Sequence, residues 1–355
     1  MRARSTNQDR SRIWQKKRSE TAGFMSILYV LFFLGNCLTA CQKKIPSQSL
    51  QIFALDTFIT LSADGNEAEE AVKAASSSLT ALEKRLSRHI EGSEIDNLNH
   101  SSFGSPVTLS DDVYALLSKT LDMASKTDGI FDPTVGALMD VWGWNKDPDR
   151  IPQQDRIDEA LSTLDYSRIH LLDDHQAYVD EGTIVDLGGV AKGYIADALM
   201  QQMKKYDVVR IILDLGGNIC GWAKDRAIKV GVRSPKEESA MIAIVSVQEG
   251  SVITSGAYER YFEVDGKRYG HIMDTRTGYP VESDMLSVTV ITEDGTLGDI
   301  LSTTLFACGK EEAMELSEQL GVHCILCMQD GTLLVSEELK GSVDAQQGWT
   351  IQYFG

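Results

Sequence analysis

Asp299 and Thr303 lie one helical turn apart in the segment 295–307, so a carboxylate and a hydroxyl share one face. Hard oxygen donors of this kind suit Mg²⁺. The same spacing also fits a threonine bonded to its own helix backbone beside a solvated carboxylate. A second chemical signal is the run Val185-Asp186-Leu187-Gly188-Gly189-Val190-Ala191-Lys192-Gly193-Tyr194. The apolar stretch 182–185 before it reads as a short buried strand, and 195–203 behind it has helical spacing. Strand, acid, glycine turn and helix together offer free backbone N–H groups at the positive end of a helix dipole, which is an anion site. Glycine also serves turn geometry alone. A second Asp-Leu-Gly-Gly follows at Asp214-Leu215-Gly216-Gly217-Asn218, closing the apolar strand 208–215, so two strand ends are expected to converge on one site. Between Tyr269 and Pro280 runs a loop dense in polar groups that contains His271, Asp274 and Arg276.

These groups need a scaffold. Alternation over 51–63 predicts a first strand, and apolar residues near helical spacing predict a long amphipathic helix over 67–87. The polar stretch 88–102 reads as a loop or short turn, and 111–126 as a helix capped by Ser110 or Asp111. Asp132-Pro133 suits a helix start with Asp132 as N-cap. Trp142 and Trp144 read as core rather than as ligand platforms. Strands are expected over 228–232, 242–247, 252–255, 258–264 and 286–292. Cys324-Ile325-Leu326-Cys327 has C-x-x-C spacing, yet it sits in an apolar strand pattern where positions three apart face opposite sides. With no second pair to complete a zinc site, core packing is the better reading. The expected architecture is one compact α/β unit of mixed sheets and flanking helices over residues 50–355.

The charge narrows the function further. Net charge is −18 over 355 residues, although the first forty carry seven basic residues against two acidic ones. The remainder is therefore more acidic still and repels nucleic acid, so no DNA or RNA partner is expected. Within that basic leader, residues 27–34 form a short apolar core, too short for a comfortable transmembrane helix. Leu38-Thr39-Ala40-Cys41 follows directly and is similar to a bacterial lipobox, which would leave Cys41 lipidated as the first mature residue. The expectation is a signal over 1–40, a tether over 41–49, and a protein held outside the cytoplasm on the bacterial membrane. An ordinary signal peptide or an anchor helix is the alternative, and Met25 is a second candidate start.

Taken in order, the motifs go beyond any single one. Leu55-Asp56-Thr57, Ser93-Glu94-Ile95, Phe131-Asp132-Pro133-Thr134-Val135-Gly136, both Asp-Leu-Gly-Gly turns, Thr254-Ser255-Gly256, His271-Ile272-Met273-Asp274, and Asp299 with Thr303 succeed one another. Over about residues 50 to 340 the chain closely resembles the ApbE family, the FAD:protein FMN transferases. The resemblance implies FAD as substrate, Mg²⁺ at its pyrophosphate, and transfer of FMN to a Thr or Ser hydroxyl of an extracytoplasmic redox flavoprotein with release of AMP. It implies Asp299 and Thr303 as metal side chains, with a backbone carbonyl near Gly189 or Ala191 and Ser302 as an adjacent candidate. It places Leu55, His89, Ile130, Phe131, Asp132, Asp186, Lys192 and Ile272 among the FAD contacts. His271 is then the best candidate to deprotonate the incoming hydroxyl, with Asp274 orienting it or lining the site, and a structural histidine is the alternative. Where the family often has an aromatic residue this chain has His89, which leaves FAD hydrolysis by water open; a flavin-binding or solute-binding lipoprotein without turnover is a separate alternative.

Overall fold

The computed structural model describes residues 45–143, 151–237, 239–258 and 260–355. The leader 1–40, Cys41 and Trp144 lie outside the described residues. Residues 47–355 form one compact unit. Ser47, Gln48 and Ser49, expected to belong to the tether, already open the first strand.

Strands β1 (Ser47–Ala54) and β2 (Thr57–Gly65) pair antiparallel, with Phe53 opposite Phe58 and Ala54 opposite Thr57. The expected single strand over 51–63 is therefore a hairpin. Its turn is Leu55-Asp56, both left-handed at φ 51° and 58°. Such a two-residue turn usually declares itself through Asn-Gly or Asp-Gly, and a leucine there hides it. The Leu55 N–H donates to Glu83 Oε1 at 2.7 Å, which ties the turn to the next helix.

Helix α1 (Ala68–Leu86) buries Ala71, Val72, Ala75, Leu79, Leu82 and Leu86, the stripe its periodicity predicts. The polar stretch after it holds a helix, α2 (Glu94–Asn99), whose N-cap Ser93 accepts from Asp96 N–H at 2.8 Å. After β3 (Val107–Thr108) come α3 (Asp111–Lys126), α4 (Gly136–Trp142) and α5 (Gln154–Leu161). Ser110 precedes α3, but its hydroxyl donates to Glu94 rather than capping the helix. Helix α4 starts at Gly136, so Asp132 is not its cap. Trp142 is core as expected, and its Nε1 donates to the Gly278 carbonyl at 2.8 Å.

The short strands β4 (Ile169–Leu171) and β5 (Gln176–Val179) join β3 in a small sheet, and α6 (Ala191–Met203) follows the first glycine turn. Then come β6 (Val208–Leu215), β7 (Asn218–Ala223), β8 (Ile228–Arg233), β9 (Met241–Val247), β10 (Glu249–Gly256), β11 (Tyr261–Val264), β12 (Lys267–Gly270), β13 (Met273–Asp274), β14 (Tyr279–Pro280) and β15 (Met285–Thr292). Helices α7 (Gly295–Cys308) and α8 (Lys310–Leu320) precede β16 (His323–Met328), β17 (Thr332–Ser336), β18 (Val343–Ala345) and β19 (Thr350–Phe354).

The central sheet has the order β1-β2-β6-β7-β10-β15-β16-β17-β19. It is antiparallel throughout except for the β17–β19 pair. One face buries α1, α6 and α7 in the main core, and the other packs on the small sheet β18-β9-β8. Strand β16 shows the two-sided burial directly: Cys324 faces the helices and Cys327 the small sheet. Burial pushes their thiols up to about 11 and about 12, so both are inert core residues, as the apolar pattern implied. Among the described residues, no helix is long and apolar enough to cross a membrane.

Candidate active site

Helix α7 carries the centre of the site, and α6 fixes it in place. Asp197 of α6 accepts from the Gly295 and Thr296 N–H groups at 2.9 and 2.8 Å and from the Thr296 hydroxyl at 2.7 Å. This carboxylate satisfies the orphan donors at the start of α7, while Asp294 accepts from Leu297 N–H at 2.9 Å. One turn earlier in α6 stands Gly193. A Cβ there would overlap the Gly295 carbonyl oxygen and sit 2.8 Å from Asp299 Cβ, so the two helices touch backbone to backbone.

That contact creates the setting of Asp299, which is only 2 % exposed. Its Oδ2 accepts from Gly193 N–H at 2.9 Å and its Oδ1 from Asn218 Nδ2 at 2.8 Å. Asn218 ends the second Asp-Leu-Gly-Gly turn and Gly193 follows the first, so the two turns do converge, as their repetition predicted. Among the described residues no cationic side chain pairs with Asp299. A buried carboxylate with two neutral donors and no cation is under-compensated, since burying an unpaired charge costs several kcal/mol.

Thr303 lies beside it, half-buried, with its hydroxyl 3.4 Å from Ser255 Oγ. The alternative of a solvated Asp299 and a self-bonded threonine is not what the fold builds. Gly189 completes the group: a Cβ on it would lie 3.8 Å from Thr303 Oγ1 and 3.0 Å from the Phe131 ring. Of the two candidate backbone positions, Ala191 opens α6, and Gly189 lies in the turn before it, next to Thr303. Ser302 does not join them. It is fully buried, donates to the Asp299 carbonyl at 3.1 Å, and bonds Ser255 Oγ at 2.8 Å, facing into the helix–sheet interface. Among the described residues no cluster of three His, Cys, Asp or Glu side chains exists. The side-chain donors on offer are one carboxylate and one hydroxyl, with the Gly189 backbone beside them, and such hard oxygens fit a Mg²⁺ retaining waters or substrate oxygens.

A second group gathers around His271. Its ring Nδ1 lies 3.3 Å from the Arg260 carbonyl, and its own backbone N–H donates to that oxygen at 3.0 Å. A carbonyl accepts only, so Nδ1 carries the proton and Nε2 keeps its lone pair in the neutral ring. Burial, reinforced by the positive charges of Lys192 and Arg260, pushes the His271 pKa down to about 4. The ring is therefore neutral at pH 7. Lys192 itself pairs with no carboxylate among the described residues and stands free to meet an anion.

Several expected contacts have other partners. The Asp274 carboxylate accepts from Arg276 Nε at 2.9 Å and from Arg276 N–H at 3.0 Å, so it bends its own loop and does not orient His271. Asp132 spends both oxygens internally, on the Thr134 N–H and hydroxyl at 2.8 and 2.6 Å and on Tyr166 N–H at 2.8 Å. Burial raises its pKa, and its part is to lock the Ile130–Phe131 turn rather than to bind through its side chain. That turn is joined to the histidine loop by the Thr275 hydroxyl, which donates to the Gly129 carbonyl at 2.9 Å. Ile272 is buried in the main core, Leu55 sits at the strained hairpin tip, and His89 is solvent-exposed.

Asp186 has a partner that sequence reasoning missed. Arg88 Nε donates to its Oδ2 at 2.6 Å while the same guanidinium grips Asp140 at 2.9 and 3.1 Å. Asp186 Oδ1 accepts from Gly188 N–H at 2.7 Å. The carboxylate therefore shapes the turn with its charge partly offset by a guanidinium it shares with Asp140, which reduces the repulsion it would exert on a phosphate. We expect Arg88→Met to weaken FAD binding about tenfold through a loosened Gly188–Gly189 turn, with the loss read by equilibrium fluorescence titration. The strand expected before this turn is absent. Only Ile184 makes a bridge, to Val135, and both backbone groups of Val185 are taken by the Asn99 side chain at 2.7 and 3.0 Å.

Comparison with known proteins identifies the family. The model of the ApbE family matches residues 55–326. The FAD:protein FMN transferase of Treponema pallidum is 34% identical over 284 residues, covering 74% of this chain and 78% of that protein. The protein of the same name from Salmonella typhimurium is 30% identical over 320 residues, covering 86% of this chain and 91% of its own. The crystal structure of the ApbE protein of Thermotoga maritima superimposes with a TM-score of 0.78 at 31% identity, covering 84% of this chain and 99% of that one. A family model matching residues 55–326 and relatives at 30% and 34% identity over most of their length, on the same mixed α/β fold, show that this chain belongs to the ApbE family.

Proposed function

We propose that the chain transfers FMN from FAD to a Ser or Thr hydroxyl of an extracytoplasmic flavoprotein and releases AMP. The observation that carries this reading is a neutral His271 near Lys192, which pairs with no carboxylate among the described residues, together with the buried Asp299 carboxylate beside Thr303 and the Gly189 backbone. A neutral imidazole able to take a hydroxyl proton, a lysine able to meet phosphate charge and an oxygen cluster able to hold a cation are parts a phosphoryl-type transfer uses. The relatives' name, FAD:protein FMN transferase, supports the choice of substrates.

In this reading the acceptor oxygen attacks the phosphorus on the FMN side of the pyrophosphate. A P–O bond to the bridging oxygen breaks, and AMP departs with that oxygen. His271 Nε2 takes the hydroxyl proton, held in line by its Nδ1–H bond to the Arg260 carbonyl. Lys192 offsets phosphate charge, and the Gly188–Gly189 backbone allows close approach. Asp299, Thr303 and the Gly189 carbonyl would hold Mg²⁺, which when bound neutralises pyrophosphate charge and favours the departure of AMP.

The low pKa of His271 has a consequence for pH dependence. Only the neutral ring can accept the proton, so kcat/KM falls as pH drops through the histidine's own pKa. With that value near 4 instead of the usual 6.5, the acid limb should lie well below pH 6. A pH profile of kcat/KM between about 3.5 and 8 checks this, and a midpoint at the ordinary histidine value of about 6.5 would contradict the assignment.

The function itself is tested with the protein from Gln42 onward, mixed with FAD and Mg²⁺ and with or without an acceptor flavoprotein domain. AMP released only with acceptor, together with a mass gain of one FMN, supports transfer. AMP and free FMN without acceptor make the chain a FAD pyrophosphatase, and intact FAD in both tubes leaves a flavin-binding protein. We further propose that the mature chain is a lipoprotein anchored through Cys41. Cys41→Ser should abolish lipid attachment, read as loss of fatty-acid label from the chain.

A further inference from the structure

The turn of the β1–β2 hairpin touches both halves of the site. On one side the Asp56 carbonyl accepts from Arg260 Nη2 at 3.2 Å, and the Arg260 carbonyl in turn holds His271. On the other side Thr57 lies against Gly216, where a Cβ would come within 2.6 Å of Thr57 Cγ2. Gly216 belongs to the turn whose Asn218 donates to Asp299. Immediately outside this turn stand Phe53 and Phe58. They are directly paired across the hairpin, with ring centroids 5.5 Å apart and planes at 76°. Phe53 is 67 % exposed and Phe58 65 %, on a chain with net charge −18.

An edge-to-face pair contributes about 0.5–1.5 kcal/mol, which accounts for part of their presence at a strained turn. It does not account for leaving most of two phenyl rings in water, since Thr or Val pairs hold hairpins without that exposure. Aromatic side chains, Phe among them, are enriched where proteins meet relative to the rest of the surface. The partner is set by the reaction. FAD must reach the glycine turns and Lys192, whereas the second substrate is a macromolecule whose hydroxyl must come to His271 from outside.

We propose that the Phe53–Phe58 hairpin tip is the docking element for the acceptor protein. It seats an apolar segment next to the acceptor hydroxyl and thereby delivers that hydroxyl to His271 Nε2. The inference rests on the transferase reading above and adds to it a surface and a class of partner. The strained, Arg260-tethered turn makes the docking element rigid with respect to the base, so that docking and alignment are one event.

The test uses the double variant Phe53→Ser/Phe58→Ser in the soluble chain. The acceptor is the apo form of a single-domain flavoprotein that carries covalent FMN on a threonine when isolated from its own host. The expected result is at least a tenfold fall in kcat/KM for the acceptor, expressed mainly in KM, with the FAD dissociation constant unchanged and the melting temperature lowered by no more than about 5 °C, the scale of the lost ring pair. Phe53→Leu/Phe58→Leu, which keeps the apolar surface without aromaticity, should recover most of the loss. Unchanged acceptor kinetics in the serine variant overturn the docking surface alone. A parallel loss of FAD affinity overturns it too, because the pair would then serve only the turn. A wild-type dimer that dissociates on substitution, with acceptor kinetics intact, assigns the rings to a second copy and likewise overturns the proposal. Wild-type enzyme that leaves the apoprotein unmodified removes the transferase reading and this surface with it.

Discussion

Asp299→Asn is expected to lower kcat by about 10³-fold while the protein remains folded. The scale is that of removing a preorganised electrostatic group from a transition state that develops charge at phosphate. Two roles of Asp299 have to be separated. As a clamp it joins Gly193 N–H to the Asn218 amide; as a charge it attracts the cation that its buried position lacks. Asparagine is isosteric and keeps one acceptor, so it forfeits one hydrogen bond, at roughly 1–3 kcal/mol, together with the whole charge. A domain of this size tolerates the first loss, and catalysis does not tolerate the second. The discriminating measurement is a Mg²⁺ titration of AMP release beside a thermal melt. A large loss of turnover with a raised Mg²⁺ requirement and a small shift in melting supports the charge role. Full turnover in a destabilised protein would reduce Asp299 to a helix clamp. Thr303→Ala, which removes a hydroxyl and no charge, should cost less.

What the sequence showed of this fold follows the range of the interactions involved. Helices α1, α3 and α7 are legible because their apolar residues repeat within a few positions of one another. The two glycine turns are legible for the same local reason, and Asn218 at the end of the second is the residue by which they meet at Asp299. The hairpin at Leu55-Asp56 is not legible, because its left-handed residues are held by a bond to Glu83 from another element. The stretch 182–185 looks like a strand because Val185 is apolar and buried, yet its hydrogen bonds go to Asn99, 86 positions away. Asp132 and Asp274 stand out by their charge within a motif, and the structure turns both inward onto neighbouring backbone. Arg88 shows the converse. Nothing local marks it, and its meaning comes only from the approach of Asp140 and Asp186.

Gly193→Ala sets two opposed effects against each other, and their magnitudes decide the outcome. In an isolated helix, alanine is favoured over glycine by about 1 kcal/mol, and Gly193 lies inside α6, so propensity alone predicts stabilisation. The folded protein reverses this. The new Cβ overlaps the Gly295 carbonyl and crowds Asp299 Cβ at 2.8 Å, and neither neighbour is the flexible end of a side chain. Overpacking of this kind costs about 3 kcal/mol when backbone has to move, which exceeds the propensity gain. The expected net result is a melting temperature lowered by roughly 5 °C or more. Relief is available only by separating α6 from α7, which carries Lys192 and Gly189 away from Asp299 and Thr303. Displacements of about 1 Å in a positioned site cost on the order of 10²-fold in rate, so activity should fall even at temperatures where the variant is folded. Gly104→Ala is the matched control, since a Cβ there meets nothing within 4 Å and should leave both readouts unchanged. A Gly193→Ala protein that melts higher than wild type and keeps its turnover would show that the helices can part without cost. The backbone contact between them would then not be what holds the two halves of the site together.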